Sequence, residues 1–143
     1  MAGSPVVIDA NLALKLVLPD PQREHASALV ARWISQGSEL VAPALWAYET
    51  TSTLCKAVHF GQLTPDEGRR ALSQLLGLGV RLVAPDAGQN RQALEWTLRL
   101  KRASAYDSYY LALAEALKCD LWTVDRRLFN AVDLSWVRWA GDG

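Results

Sequence analysis

The chain has 143 residues, half of them hydrophobic, and its 15 basic and 15 acidic residues give a formal net charge of zero. This length fits one domain over residues 1–143, and the charge balance argues against a nonspecific nucleic-acid coat protein, which would have to neutralise many phosphates. No apolar run approaches the roughly 20 residues of a membrane span. The N-terminus lacks the basic flank and apolar core of an export signal, so we expect a cytoplasmic protein without a membrane partner.

The first half of the chain predicts strands that alternate with helices. Short apolar runs indicate the strands, and Asp20-Pro21 supplies a cap and a first-turn proline for a helix. In chain order, the predicted elements are a strand at 6–9, a helical pattern through Leu18, a helix from Asp20-Pro21 to about Ser35, a strand at 40–42, and a helix at 44–60 that Pro43 opens.

The second half continues the alternation with clearer helix starts. Thr64 and Glu67 have the spacing of a capping box around Pro65, and Asp86 with Gln89 resembles the same device. The predicted elements are helices from Thr64 and from Asp86 to about Lys101, a strand at 80–83 between them, a helix at 107–118, and strands at 121–124 and 136–139.

Strands separated by helices predict an α/β fold, with a mainly parallel sheet between two helical layers. In such sheets, functional sites form beyond the carboxyl ends of the strands. Asp9 and Asp125 each close a predicted strand, Asp107 opens the helix before the strand at 121–124, and Glu49 lies on the helix after the strand at 40–42. The sequence therefore places four acids toward one edge of the sheet.

Four carboxylates at one edge repel one another unless a cation neutralises them. Hard oxygen ligands of this kind suit Mg²⁺ or Mn²⁺. Our first hypothesis is therefore a metal-dependent enzyme that cleaves phosphodiester bonds. In this interpretation Asn11 hydrogen-bonds a ligand or positions water, and Thr123, on the same strand face as Asp125, orients water or another acid.

Each acid also has a purely structural interpretation. Asp9 or Asn11 could cap the following helix, and Asp125 could cap a short one. Asp107 could be the third helical residue of a capping box that begins at Ser104. Glu49 could lie on a plain solvent face of its helix.

Two short basic stretches could hold a phosphate backbone. They are Arg99-Leu100-Lys101-Arg102 and Arg126-Arg127, and from them we predict RNA contacts by Lys101, Arg102, Arg126 and Arg127.

Taken together and in order, the acidic motifs resemble those of PIN-domain proteins, and more closely of the VapC-like ribonuclease toxins of prokaryotic toxin–antitoxin pairs. The motifs that carry the resemblance are Val7-Ile8-Asp9-Ala10-Asn11, Leu45-Trp46-Ala47-Tyr48-Glu49, Tyr106-Asp107-Ser108-Tyr109-Tyr110 and Thr123-Val124-Asp125-Arg126-Arg127-Leu128. The resemblance covers essentially the whole chain.

The resemblance implies an α/β/α sandwich around about five mostly parallel strands, and Mg²⁺-dependent RNA cleavage by metal-activated water, with Mn²⁺ able to substitute. Asp9, Glu49 and Asp107 match the family's principal metal-binding acids, Asp125 matches a fourth, and Asn11 and Thr123 match its supporting polar positions. A homodimer and a cognate antitoxin are the implied protein partners.

Three alternatives remain open. The chain could be a housekeeping PIN-type RNA-processing nuclease, a phosphoaspartyl or receiver-like protein, or a non-catalytic interaction domain whose acids only cap helices. A receiver uses a lysine after a late strand, and no lysine follows Trp122 here.

Overall fold

The structure, a computed structural model, describes residues 3–142. Met1, Ala2 and Gly143 lie outside the described residues. The domain predicted for residues 1–143 and the predicted absence of an export signal at the N-terminus therefore include residues that the structure does not describe. The strands are β1 (Pro5–Ile8), β2 (Glu39–Pro43), β3 (Arg81–Val83), β4 (Asp120–Thr123) and β5 (Val137–Trp139). The helices are α1 (Ala10–Leu14), α2 (Arg23–Ser35), α3 (Leu45–His59), α4 (Pro65–Leu76), α5 (Ala87–Leu100), α6 (Tyr106–Leu117) and α7 (Arg126–Val132).

The five strands form one sheet in the order β3-β2-β1-β4-β5, and every neighbouring pair is parallel. The chain steps from β1 to β3 in one direction and then crosses back to β4 and β5. With right-handed crossovers, this order places α1–α4 on one face and α5–α7 on the other. The contacts agree, because α3 packs against α1 and α4 while α5 packs against α6. The predicted α/β sandwich with a parallel five-stranded sheet is confirmed.

Hydrophobic burial follows this layering. The central strand β1 buries Val7 and Ile8 completely, and Val41, Leu111 and Leu121 from neighbouring elements are equally inaccessible. Strands buried on both faces read as continuous apolar runs, as these do. Among the described residues, no helix is both long and apolar enough to cross a membrane.

Two predicted boundaries at the front of the chain were wrong. The α-helix that begins at Ala10 ends at Leu14 rather than Leu18, because the backbone tightens there into a turn in which the Leu16 and Val17 N–H groups donate to the carbonyls three residues earlier. Asp20 does not cap α2: its carboxylate accepts the Gln22 backbone N–H at 2.8 Å, which forms a turn ahead of the helix. The helix therefore begins at Arg23 instead of at Pro21.

Pro43 was also misassigned, because it ends β2 rather than opening α3. It lies opposite Val83 in the parallel pairing, and the Ala44 N–H donates to the Val83 carbonyl at 2.9 Å. The proline needs no N–H at this last strand position, and α3 begins two residues later, at Leu45. By contrast, the capping box of Thr64 and Glu67 is present with both hydrogen bonds.

This topology determines which residues reach the carboxyl edge of the sheet. Asp9 directly follows β1, and Asp125 lies two residues beyond the end of β4. Helix α6 leads into the amino end of β4, so its own first turn, with Asp107, lies at the opposite, carboxyl edge. Glu49 lies on the first turns of α3, just beyond the end of β2.

Candidate active site

Asp9 is fixed by three hydrogen bonds. Its Oδ1 accepts the Leu12 backbone N–H at 2.7 Å, which caps α1. Its Oδ2 accepts the Thr123 hydroxyl at 2.6 Å and the Val124 N–H at 3.1 Å. The capping interpretation of Asp9 is thus correct for one oxygen, while the other oxygen is tied to β4, 114 residues away in sequence.

Thr123 connects two of the acids. Its side chain is fully buried. Its hydroxyl group donates a hydrogen bond to Asp9, and the hydroxyl oxygen accepts one from the Asp125 N–H at 2.9 Å. The Asp125 carboxylate then accepts the Leu128 N–H at 3.0 Å and caps α7. The structure therefore places Thr123 in the acid-orienting position that the sequence predicted.

Glu49 faces the pocket rather than plain solvent. It is partly buried, and its Oε1 accepts the Tyr110 hydroxyl at 2.7 Å. Tyr110, on α6, is 3% exposed. The hydroxyl of this buried side chain therefore binds Glu49, which comes from the helical layer on the opposite face of the sheet. Burial and the nearby Glu49 carboxylate raise the pKa of Tyr110, which stays a neutral donor.

Asp107 is not part of a capping box. The N-cap of α6 is Ala105 and makes no side-chain cap bond. Instead, Asp107 Oδ2 accepts a hydrogen bond from Arg102 Nη1 at 2.9 Å. The structure therefore excludes the capping alternative for this residue, and the cation that faces Asp107 is an arginine of the same chain.

These side chains line one small pocket of about 30 Å³, which has room for an ion or a water or two but not for a nucleotide. Besides Ala10, Leu121 and Leu128, its lining consists of polar residues, namely Asp9, Asn11, Glu49, Asp107, Tyr110, Thr123 and Asp125. All four predicted acids and both supporting residues, Asn11 and Thr123, thus meet at one place.

The electrostatics of the pocket show a surplus of negative charge. Burial raises the pKa of Asp9 to about 6, and the charge of Asp107 adds to this rise. Burial likewise raises the pKa of Glu49 and of Asp107, and the neighbouring carboxylates Asp9, Asp107 and Asp125 raise them further. Acids whose pKa values rise together gain most from a cation that binds among them.

The donors fit a hard divalent cation in chemical type, since they are carboxylate, amide and hydroxyl oxygens. Within residues 3–142, however, no three His, Cys, Asp or Glu side chains form a group that could hold a metal ion as they stand. Common ligation of one ion by Asp9, Glu49, Asp107 and Asp125 therefore stays a prediction, and it requires side-chain rearrangement.

The predicted RNA-contact residues divide into two sets. Lys101, Arg126 and Arg127 are exposed, and the Arg126 guanidinium lies 3.9 Å from the centre of the Trp139 ring. Arg102 differs, because its side chain is only 17% exposed and pairs with Asp107.

Sequence reasoning missed two residues of the site. Tyr110 was assigned no role beyond its place in the motif around Asp107, although it lies one turn after Asp107 and carries a polar hydroxyl at its tip. Arg102 was assigned to a surface patch because nothing local reveals that it turns back toward Asp107.

Comparisons with known proteins agree with this architecture. The family model described as PIN domain matches residues 6–134. A curated relative, Ribonuclease VapC9 of Mycobacterium tuberculosis, is 37% identical over 123 residues, which are 86% of this chain and 87% of that protein.

Solved structures share the fold at lower identity. The M. tuberculosis toxin VapC20, described as cleaving the sarcin-ricin loop, superposes with a TM-score of 0.69 at 20% identity, over 93% of this chain and 98% of that one. A chain of a toxin–antitoxin complex from Klebsiella pneumoniae superposes with a TM-score of 0.64 at 14% identity, over 93% and 98%. At these identities the likeness concerns the fold.

Proposed function

This chain belongs to the PIN-domain family, and from that premise we propose that it is a divalent-metal-dependent endoribonuclease, the toxin component of a toxin–antitoxin pair. The observation that carries the proposal is the pocket in which Asp9, Glu49, Asp107 and Asp125 gather at the carboxyl edge of a parallel sheet. A curated relative at 37% identity, named a ribonuclease, supports the same activity.

The four acids would hold the cation, which we propose is Mg²⁺, with Mn²⁺ able to substitute. When bound, such an ion offsets the negative charge of a phosphate and lowers the pKa of water. The chain's own contribution is orientation: Thr123 and the start of α1 fix Asp9, and Tyr110 fixes Glu49. Asn11, exposed at the rim, can donate to the substrate or to water. No side chain has to act as the nucleophile.

The RNA strand itself would lie across the mouth of the pocket, because a cavity of about 30 Å³ cannot enclose a nucleotide. The exposed Lys101, Arg126 and Arg127 are the proposed backbone contacts. An RNA substrate places the protein in the cytoplasm, which is part of the proposal.

The proposed protein partner is an antitoxin that presents a cationic side chain to the acidic pocket, since opposite charges favour docking there. A structural neighbour described as a toxin–antitoxin complex supports this partner. The predicted homodimer is supported by exposed apolar side chains on α5, where Leu94 and Leu98 are 55% and 62% exposed one turn apart.

The alternatives weigh less after these comparisons. Family membership disfavours a receiver-like protein. A housekeeping PIN nuclease has the same site, and only the partner separates it from a toxin. Growth arrest on expression, relieved by the product of a neighbouring short gene, would favour the toxin.

The chemical test is the change Asp107→Asn. This variant keeps the size of the side chain but removes a charge from the pocket, so we expect Mg²⁺-dependent cleavage of RNA to fall at least a hundredfold. Cleavage by the wild type should also disappear when a chelator removes divalent ions. Cleavage is measured as product formed from a labelled RNA, with folding checked by circular dichroism.

The matched control is Asp120→Asn at the amino end of β4. Asp120 pairs with Arg138 across the sheet, away from the pocket, so its loss should leave cleavage within about twofold of wild type. Full activity of a folded Asp107→Asn protein would exclude that residue from the reaction, and cleavage that survives chelation would contradict the metal-dependent proposal.

A further inference from the structure

We propose that Arg102 is a built-in counter-ion of the acidic pocket and competes with the divalent cation for Asp107. The inference rests on the proposed function, because it concerns regulation of the same site. Its consequence is a weaker affinity: the site needs a higher cation concentration for occupancy than it would need without the guanidinium.

The backbone directs Arg102 toward the pocket. Lys101 ends α5 in the left-handed conformation, with φ of 54°. The Arg102 N–H then donates to the Thr97 carbonyl at 3.2 Å, as in a Schellman turn. This turn fixes the point from which the side chain leaves, five residues before Asp107.

The side chain of Arg102 is much less exposed than those of three other arginines that form ion pairs. Its side chain is 17% exposed, whereas those of Arg69, Arg81 and Arg138 are 74%, 52% and 51% exposed in their own pairs. Its Nη2 is buried and, within the described part of the chain, has no hydrogen-bond partner. Such burial is unfavourable for a cation unless negative charge surrounds it.

The surrounding charge is that of the pocket. Asp107 interacts electrostatically with Asp9 and Asp125 as well as with Arg102. The guanidinium therefore offsets part of a repulsion among acids that come from three separate parts of the chain.

A divalent ion and a guanidinium that bind the same carboxylate repel each other. Each must weaken the binding of the other, and by the same factor, because the coupling between two binding events is reciprocal. The competition therefore responds to the concentration of the divalent cation.

The test is calorimetric titration of Mn²⁺ into the full chain after chelator treatment. Arg102→Met keeps an unbranched apolar side chain but removes the charge, and we expect its dissociation constant to be about three- to tenfold lower than that of wild type. Arg102→Lys, which keeps the charge, should stay within about twofold. Arg81→Met is the matched control, since Arg81 pairs with Glu39 at the opposite edge of the sheet, and it should not change the constant.

Thermal unfolding supplies a readout without metal. In chelator, Arg102→Met should unfold at a lower temperature than wild type, because Asp107 loses its counter-ion. A double-mutant cycle with Asp107→Asn should show that the two residues are coupled. Saturating Mn²⁺ should then raise the unfolding temperature more in Arg102→Met than in wild type.

Equal or weaker Mn²⁺ binding by folded Arg102→Met would overturn this inference alone, and weaker binding would make Arg102 part of the cation site. If Arg102→Met does not fold, Arg102→Gln takes its place under the same criteria. A wild-type protein that binds no Mn²⁺ would overturn the proposed function itself, and this inference with it.

Discussion

The two edges of the sheet hold their acids in opposite ways. At the amino edge, Glu39 pairs with Arg81 and Asp120 with Arg138, each across neighbouring elements and largely in solvent. At the carboxyl edge, Asp9, Glu49, Asp107 and Asp125 line one pocket, and Arg102 pairs with Asp107.

This difference separates acids that are paired in solvent from acids that are gathered in one pocket. Exposed pairs contribute little free energy, and their charges are already balanced. Three of the pocket acids, Asp9, Glu49 and Asp107, have raised pKa values because burial and the neighbouring carboxylates disfavour their ionised forms. A cluster of acids with raised pKa values in one pocket marks a candidate functional site.

The largest effect we expect from this contrast is on how the free energy of unfolding changes with pH, in protein kept free of divalent ions. The pKa of Asp9 is about 6 in the folded state against an ordinary value of 3.8, so between these values the folded state holds a proton that the unfolded state releases. Stability should therefore fall as pH rises from about 4 to about 6, by about 3 kcal/mol from Asp9. Urea unfolding at several pH values in chelator measures this.

Glu49 and Asp107 should add to the same trend, since their pKa values are also raised. Asp20 and Glu67 have pKa values lowered from 3.8 and 4.5, so they act in the opposite sense, mainly below these ordinary values. Asp9→Asn is the control: whatever its absolute stability, its slope between pH 4 and 6 should be smaller. Stability that rises over this interval in the wild type would contradict the account.

A smaller effect is expected from Tyr110→Phe, which removes the hydroxyl that Glu49 accepts. Because that hydrogen bond lowers the pKa of Glu49, its loss should shift the acid side of the pH–rate profile to higher pH. We expect kcat/KM for RNA cleavage to fall by about fivefold to tenfold, which corresponds to about 1 kcal/mol.

Tyr109→Phe provides the matched comparison on the same helix. The Tyr109 hydroxyl donates to Asn90 on α5, away from the acids, so its removal should leave the pH–rate profile unchanged. Equal profiles for both variants would mean that Tyr110 does not position Glu49.

We expect the smallest effect from a substitution at the amino edge of the sheet. Arg138→Met breaks a pair whose nitrogen–oxygen distance is 3.6 Å and whose side chains are 51% and 41% exposed. We expect a change of less than about 0.5 kcal/mol in the free energy of unfolding, measured in urea, and no change in cleavage. A loss above about 1 kcal/mol would show that the two edges differ less than proposed.

Much of the fold could be predicted from the sequence because its signals are local. The capping box at Thr64 and Glu67 formed as expected, and the Asp86 cap bonds Gln89 as its spacing indicated. Boundaries near prolines were less predictable. Proline often opens a helix, but Pro43 pairs with Val83 of β3 and therefore belongs to strand β2.

The four acids of the candidate site were predictable from the sequence, but most of the contacts that hold them were not. Asp9 and Asp125 follow strands, and a parallel sheet must bring such positions to one edge. Thr123 was the one predicted residue that orients an acid, whereas the contacts of Tyr110 and Arg102 were not predictable, because these side chains reach Glu49 and Asp107 only across the sheet or back over a turn.

The sequence by itself determined the alternation of strands and helices and the edge toward which the acids point, since apolar periodicity and capping act over a few residues. Only the tertiary structure decided that Asp107 pairs with Arg102 instead of capping its helix, and that Glu49 faces Tyr110 instead of solvent. Those outcomes depend on how the helices on the two faces pack against the sheet, which is the sum of many long-range contacts rather than the property of any short segment.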